Sequence, residues 1–338
     1  MPEFRRDLIS GRSVILTPAR ASRPNIFAAT ANLSCPFCVG RESETPPEVL
    51  ARRPPQLPAN GPGWTIRVVP NKFPAVDYTA PGARPRRALS EGVFFESEPG
   101  TGVHEVIIES PRHVESLAEL TEDEMVQALT AYRDRILELR GKPGIRYALL
   151  FKNEGRAAGA SLGHIHSQLI ALPRVPESIR QSLHRARRFQ AENGLCIFCE
   201  LIQREMLSRE RVIEQSAHFV TLSQYAARFP YESCIYPKSH QACFEQSTPE
   251  ELRDLAGALK RWVLSLAAVT ERPSYNLTLH TSPMQKGAEA CFHWRLELTP
   301  RLGGIAGFEL ATGWNMNTVT PEQAAEQLRG ARTANPAR

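Results

Sequence analysis

The chain lacks any apolar run approaching the ~18 residues that a membrane helix needs, and its opening stretch, MPEFRRDLIS, has no apolar leader region. Membrane residence and export are therefore not expected, and a cytoplasmic protein is. It also lacks a dominant charge: 41 Lys and Arg stand against 36 Asp and Glu, a formal net charge of +5 over 338 residues. The basic residues are scattered, as in RARRF and RRPP. No aromatic-interleaved basic stripe accompanies them, so nucleic-acid binding has no support and a site for small anions fits equally well. No carboxylate cluster stands beside the histidines, which argues against a metal hydrolase built on acidic ligands. A disulfide framework is not expected either. The seven cysteines are an odd number in a chain read as cytosolic, where thiols or metal ligands are the better reading.

What the sequence does have is an internal repeat. CPFC at 35–38 is answered by CIFC at 196–199, and IESPRH ending at His113 is answered by IYPKSH ending at His240. The segment TEDEMVQALTAYRDRILELR at 121–140 opens on a Thr N-cap and an acidic first turn, and TPEELRDLAGALKRWVLSLA at 248–267 repeats that design. GHIHSQLIALP is answered by FHWRLELTP. The separations agree as well: 51 residues from His113 to His164, and 53 from His240 to His293. Strand-like runs occur at WTIRVVP, VHEVIIES and RYALLFKN, with a further strand expected from about Gly163 to Leu172. The Pro-rich stretches at 44–64 and 80–89 read as surface loops, and a basic helix is expected at about 176–193. The expectation is an α+β chain of two duplicated halves, 1–175 and 190–338, each an antiparallel sheet with a long packed helix.

In each half the repeat preserves Cys-x-x-Cys and two histidines, the ligand set of a closed tetrahedral zinc site. The expected ligands are Cys35, Cys38, His113 and His164 in the first half, and Cys196, Cys199, His240 and His293 in the second. Two Zn2+ per chain follow. A single Cys-x-x-Cys reads equally as a redox pair, and buried structural thiols with satisfied core histidines are the plainer alternative, but neither accounts for the repetition. Cys234, Cys243 and Cys291 have no counterparts in the first half and read as small buried hydrophobes.

The two halves differ at one telling position. On a strand, His164, His166 and Gln168 share a face. The second half keeps the first histidine as His293 and has Arg295 where His166 stands. What both halves keep serves what both do, which is hold metal; His166 is then left for chemistry, as nucleophile or general base. Ser161, Asn153 and Gln168 are neutral donors near it, suited to a phosphoryl group whose charge grows on attack.

These features resemble the galactose-1-phosphate uridylyltransferase family, a branch of the histidine triad superfamily. The resemblance runs from FRRDLISGRSVILTPARASRP through CPFC, VVPNKFPAV, SPRHVESLAEL and NEGRAAGASLGHIHSQ to GFELATGWNMNTVTPEQAAEQLR. It implies ping-pong transfer of UMP between UDP-glucose and a hexose 1-phosphate such as galactose 1-phosphate, through a nucleotidyl-histidine on His166. By position, Gln168 and Ser161 hold phosphoryl oxygens with Asn153 in support, Arg20 and Arg23 hold substrate phosphate, Asn71 contacts the nucleotide and Glu309 the sugar. It also implies a homodimer with substrate contacts from both subunits. Lys72, where the galactose enzymes often carry an acid, and Gly303 and Gly304, where they carry a lysine, depart from the pattern. The GFELATG ending looks as much like relatives that phosphorolyse ADP-glucose. The alternatives are therefore an ADP-glucose or diadenosine polyphosphate phosphorylase, and a non-catalytic zinc-stabilised nucleotide-binding protein.

Overall fold

The structure, a computed structural model, describes residues 2–6, 13–16, 18, 35–78, 97–271 and 273–333. Arg20, Arg23 and the Pro-rich stretch at 80–89 lie outside the described residues. In chain order the first half contributes β1 (Glu3–Arg6), β2 (Ser13–Leu16), β3 (Leu50–Arg52), β4 (Ile66–Pro70), β5 (Ser97–Pro99), β6 (Val103–Ile108), α1 (Glu122–Arg140), β7 (Tyr147–Glu154) and β8 (His166–Leu172). After α2 (Glu177–Asn193) and α3 (Ile197–Ser208) come β9 (Val212–Gln215), β10 (Phe219–Ser223), β11 (Ser233–Pro237), α4 (Pro249–Thr270), β12 (Tyr275–His280) and β13 (Arg295–Pro300). The chain closes with α5 (Gly307–Thr312) and α6 (Pro321–Thr333).

The duplication is visible in the strand order. One ten-stranded sheet runs β3-β4-β6-β8-β7-β12-β13-β11-β10-β9, and its pairings are antiparallel throughout. Read inward from each edge, the two halves contribute the same sequence of roles and meet where β7 pairs with β12, from Tyr275 opposite Glu154 to His280 opposite Leu149. The halves therefore share a single sheet. A pair of edge strands that would otherwise expose unpaired backbone groups is closed by this joint. A small separate sheet, β2-β1-β5, uses chain from both sides of the residue 79–96 segment.

Both long helices begin as their sequences predict. Thr121 and Thr248 each accept from a backbone N–H three residues on, while Glu124 and Glu251 reach back to the cap residue. These reciprocal capping boxes satisfy two of the free N–H groups at each helix start. Met125, Leu129, Tyr132, Ile136 and Leu139 form the buried stripe of α1, and Leu252, Leu255, Leu259, Trp262 and Leu266 that of α4. The stripes merge with the inward residues of the sheet into one core, leaving the opposite face of the sheet for the site.

The sequence expected β8 to begin near Gly163, and it begins at His166. Residues 163–165 are instead stitched to the loop carrying His113, through Ile165 N–H to Val114 O at 2.8 Å. The ladder cannot start until β6 is alongside, with Ile108 opposite His166. The direction of His164 is thus set by that loop rather than by strand alternation.

Candidate active site and metal centres

Cys35, Cys38, His113 and His164 converge, as do Cys196, Cys199, His240 and His293; within each group the donor atoms lie within 4.8 Å of one another. Cys38 Sγ is 3.3 Å from His113 Nδ1 and 3.6 Å from His164 Nδ1. Cys199 Sγ is 3.3 Å from His240 Nδ1 and 3.7 Å from His293 Nδ1. Tetrahedral zinc with ordinary Zn–S and Zn–N bonds would set these sulfur–nitrogen edges at about 3.5 Å, so the donors fit such a cation.

The surroundings prepare the donors. His164 Nε2–H donates to Ser110 O at 2.8 Å, His293 Nε2–H to Pro237 O at 2.9 Å, and His240 Nε2–H to Glu289 O at 3.0 Å. In each case the ring proton is fixed on Nε2 and Nδ1 is left as the donor atom that could meet a metal. Burial pulls the pKa of His164 and of His293 down to about 4, so both imidazoles are neutral near pH 7. Burial pushes the thiols of Cys35 and Cys199 up to about 11 and about 12, so without a cation they are protonated. A bound divalent metal would supply the charge that makes them thiolates.

His166 stands beside the first cluster but outside it. Its Nδ1 is 2.8 Å from His164 O. A carbonyl can only accept, so Nδ1 carries the ring proton and Nε2 carries the lone pair. Phe37, from the middle of CPFC, packs edge-on to His166 at 5.3 Å between ring centroids and to His164 at 6.1 Å. One knuckle thus positions both His164 and its neighbour His166. His166 lines a cavity of about 440 Å³ together with Ser161, Gln168, Asn71, Lys72 and Phe37. The other walls include Val69, Phe73 and Val106, an apolar slot suited to a planar base.

Beneath His166 lies a polar network absent from the sequence reading. Lys152, 2% exposed, donates to His166 O at 2.9 Å and pairs with Glu109, which also accepts from Tyr132 and Ser167. Removing one partner of a buried pair strands the other charge. Lys152→Met is expected to destabilise the protein by about 3–5 kcal/mol in chemical denaturation. A loss below about 1 kcal/mol would mean that Tyr132 and Ser167 alone suffice to hold Glu109.

The second half keeps the frame and fills the site. Arg295 takes the place of His166, with its guanidinium 5.6 Å from the Phe198 ring as Phe37 sits by His166. Glu297 takes the place of Gln168 and pairs with Arg228 and His280. Burial alone would raise the Glu297 carboxyl; the His280 bond with the Arg228 and Arg295 charges overrides it and holds the pKa at about 2. An ionic cluster thus stands where the first half has His166 and Gln168.

The remaining expected residues separate. Ser161, Gln168 and Asn71 line the cavity. Asn153 is on the same face of the sheet, but it does not line the cavity and its Oδ1 accepts from Asn276 at 2.8 Å. Gly155, just beyond it, has φ +81°, and a side chain there would collide with Ser274; only glycine permits this turn toward Ser161. Glu309 sits in α5, away from the cavity lining, and accepts from Ala306 N–H at 3.2 Å. The sequence reading missed His104, Lys152 and Glu109. The period-2 pattern of VHEVII could have placed His104 on the cavity face with Val106.

Comparison with known proteins adds the following. A family described as a domain of unknown function, DUF4921, matches residues 101–333. The ADP-glucose phosphorylase of Arabidopsis thaliana is 36% identical over 97% of this chain and 92% of that one. The galactose-1-phosphate uridylyltransferase of Thermotoga maritima is 28% identical over 97% of this chain and 98% of that one. Among solved structures, the Arabidopsis ADP-glucose phosphorylase with bound ADP-glucose superposes with a TM-score of 0.76 at 36% identity, covering 97% of this chain and 99% of that one. A uridylyltransferase structure superposes at 0.82 and 28% identity, covering 98% and 99%.

Proposed function

Since the chain belongs to the family that contains ADP-glucose phosphorylase and the galactose-1-phosphate uridylyltransferases, we propose that it moves a nucleotidyl group from a nucleoside diphosphate hexose to a phosphate acceptor through His166. The observation that carries this reading is the fixed tautomer: Nδ1–H is held by His164 O, so Nε2 is the nucleophilic atom of a histidine lining the cavity. Nε2 attacks the α-phosphorus, the bond to the bridging oxygen breaks, and hexose 1-phosphate leaves. The hydrogen bond from Nδ1 to the carbonyl stabilises the positive charge that the ring acquires. In the second half-reaction an acceptor phosphate oxygen attacks the same phosphorus and the P–N bond breaks, restoring neutral His166. Gln168 and Ser161 donate to the phosphoryl oxygens as negative charge develops there. Asn153 supports this wall from the β7–β12 joint, and Asn71 meets the nucleotide at the mouth of the apolar slot.

The donor has two readings. The motifs point to UDP-glucose with a hexose 1-phosphate acceptor. The higher identity to an ADP-glucose phosphorylase, 36% against 28%, favours ADP-glucose with inorganic phosphate, and Lys72 and the GFELATG ending lean the same way. Incubation with each labelled nucleotide sugar, without acceptor, distinguishes them. Label is expected on the protein from both, faster from ADP-glucose, in an acid-labile and base-stable form. Initial rates are expected to give parallel double-reciprocal lines; intersecting lines and no label would make His166 a general base in direct displacement.

Each Cys/His cluster is proposed to hold zinc, giving about two ions per chain by elemental analysis. The first metal fixes the knuckle that orients His166, while the second ties the filled half together. A homodimer is also proposed. Leu302, Ile305, Phe308, Leu310, Trp314 and Met316 are all exposed within one short segment, an apolar strip that a second copy would cover. That strip carries Glu309, so its sugar contact would be made in the partner's cavity. A monomer in sedimentation at micromolar concentration would remove Glu309 from the site.

A further inference from the structure

His104 has no role in the reaction as written above, yet it is 5% exposed and directly behind the cavity wall. It lies on β6 opposite Ile170, two residues from Val106, which faces Gln168. Ala75 N–H is 2.9 Å from its Nδ1. A backbone N–H can only donate, so Nδ1 holds a lone pair; an imidazolium would set donor against donor there. The neutral ring therefore has its proton on Nε2, which is 3.0 Å from Gln168 Oε1. Asn71 reinforces this order. Phe73 N–H donates to Asn71 Oδ1 at 2.9 Å, which turns the Asn71 amide nitrogen toward Gln168 Oε1 at 3.4 Å. Asn71 Nδ2 also lies 3.1 Å from His104 Nε2. Donation along that line would require a ring accepting at both nitrogens, an imidazolate, so the two groups instead converge as donors on one oxygen.

We propose that His104 is a positioning residue for nucleotidyl transfer: it locks the Gln168 amide with its oxygen toward the protein and its NH2 toward the transferring phosphoryl group. A flipped amide would present oxygen to oxygen, where charge is growing in the transition state. Two donors on the Gln168 carbonyl also polarise the amide and strengthen its N–H groups as donors. The chain Ala75 N–H, His104, Gln168 thus transmits a backbone donor's direction to the reacting centre. The inference rests on the nucleotidyl-transfer reading for its consequence and on local geometry alone for the tautomer.

Two measurements test it. The first is a double-mutant cycle on single-turnover nucleotidylation with ADP-glucose. His104→Phe is expected to lower the rate about tenfold, with KM changed less than about twofold, and to have no further effect in a Gln168→Ala background. Equal losses in both backgrounds would overturn the proposal, because His104 would then act independently of Gln168. His104→Gln keeps a donor and is expected to recover the rate to within about threefold; it also serves if the Phe variant does not fold. The second is the tautomer of His104 from two-bond 1H–15N correlations of the ring, read on the folded protein without substrate. A protonated Nε2 with bare Nδ1 supports the lock, and a protonated Nδ1 overturns it. Absence of label from every nucleotide sugar would instead sink the functional reading, leaving the ring measurement to decide the lock.

Discussion

Replacing His166 with glycine is expected to lower turnover by at least about 10⁴-fold while leaving metal content, fold and nucleotide binding in place. The expectation follows from position. His166 is joined to the first Cys/His cluster through the backbone carbonyl of His164 and through Phe37, and neither contact uses a donor atom of the cluster. The side chain can therefore be removed without removing a ligand. What disappears is Nε2, and with it the covalent route. The neighbouring donors on Gln168 and Ser161 remain to bind phosphate, so a nucleotide sugar should still bind with affinity changed by less than about tenfold. Metal analysis, thermal melting and isothermal titration on one preparation check all three parts. Loss of metal with loss of activity would mean that the roles of His164 and His166 are exchanged. Retained turnover would mean that a different group attacks the phosphorus.

Removal of the second half's buried ligand should give the opposite pattern. His293→Asn is expected to release one of two metals and to destabilise the protein by roughly 3–5 kcal/mol, or about 4–7 °C in Tm, with activity below the new melting point reduced only a few-fold. His293 has no exposure to solvent, and its Nε2–H is committed to Pro237 O. Asparagine cannot replace both the Nδ1 ligand and that donor. The second cluster has no nucleophile next to it, since Arg295 is already engaged with Phe198. A metal held there is accordingly expected to act as a structural tie. His164→Asn removes the equivalent ligand from the other cluster, and it should lose metal, stability and activity together, because the CPFC knuckle carries Phe37 against His166. A His293 variant that retains two metals and full stability would show that Cys196, Cys199 and His240 do not need it.

The two Cys/His clusters were legible in the sequence because duplication acts as an internal control. Two Cys-x-x-Cys pairs with matched histidines define a donor set without any knowledge of distance, and the eight residues do converge as two groups of four. The contrast between His166 and Arg295 was legible for the same reason. Strand direction at His164 was not, because its orientation comes from the loop at 109–114 rather than from a ladder. The network of Lys152, Glu109, Tyr132 and Ser167 was equally hidden: its members lie on β7, the loop after β6, α1 and β8, and each alone looks like an ordinary residue of its segment. His104 was hidden in a different way. Its alternation places it on the correct face, but only the Ala75 N–H fixes which ring nitrogen reaches Gln168.

By itself, the sequence determined the α+β duplication, the capped helices at Thr121 and Thr248, the two Cys/His sets and the contrast between His166 and Arg295. These are properties of local pattern and repetition, and chain order preserves them. The tertiary structure alone decided that the halves join edge to edge in a single ten-stranded sheet, that Asn153 is held by Asn276 of the other half, and that Glu309 sits on an exposed strip away from the cavity. Each of these depends on pairing between segments more than 100 residues apart or on which surface is left uncovered. Hydrophobic burial and backbone hydrogen bonding set that outcome for the whole chain at once, and no single segment records it.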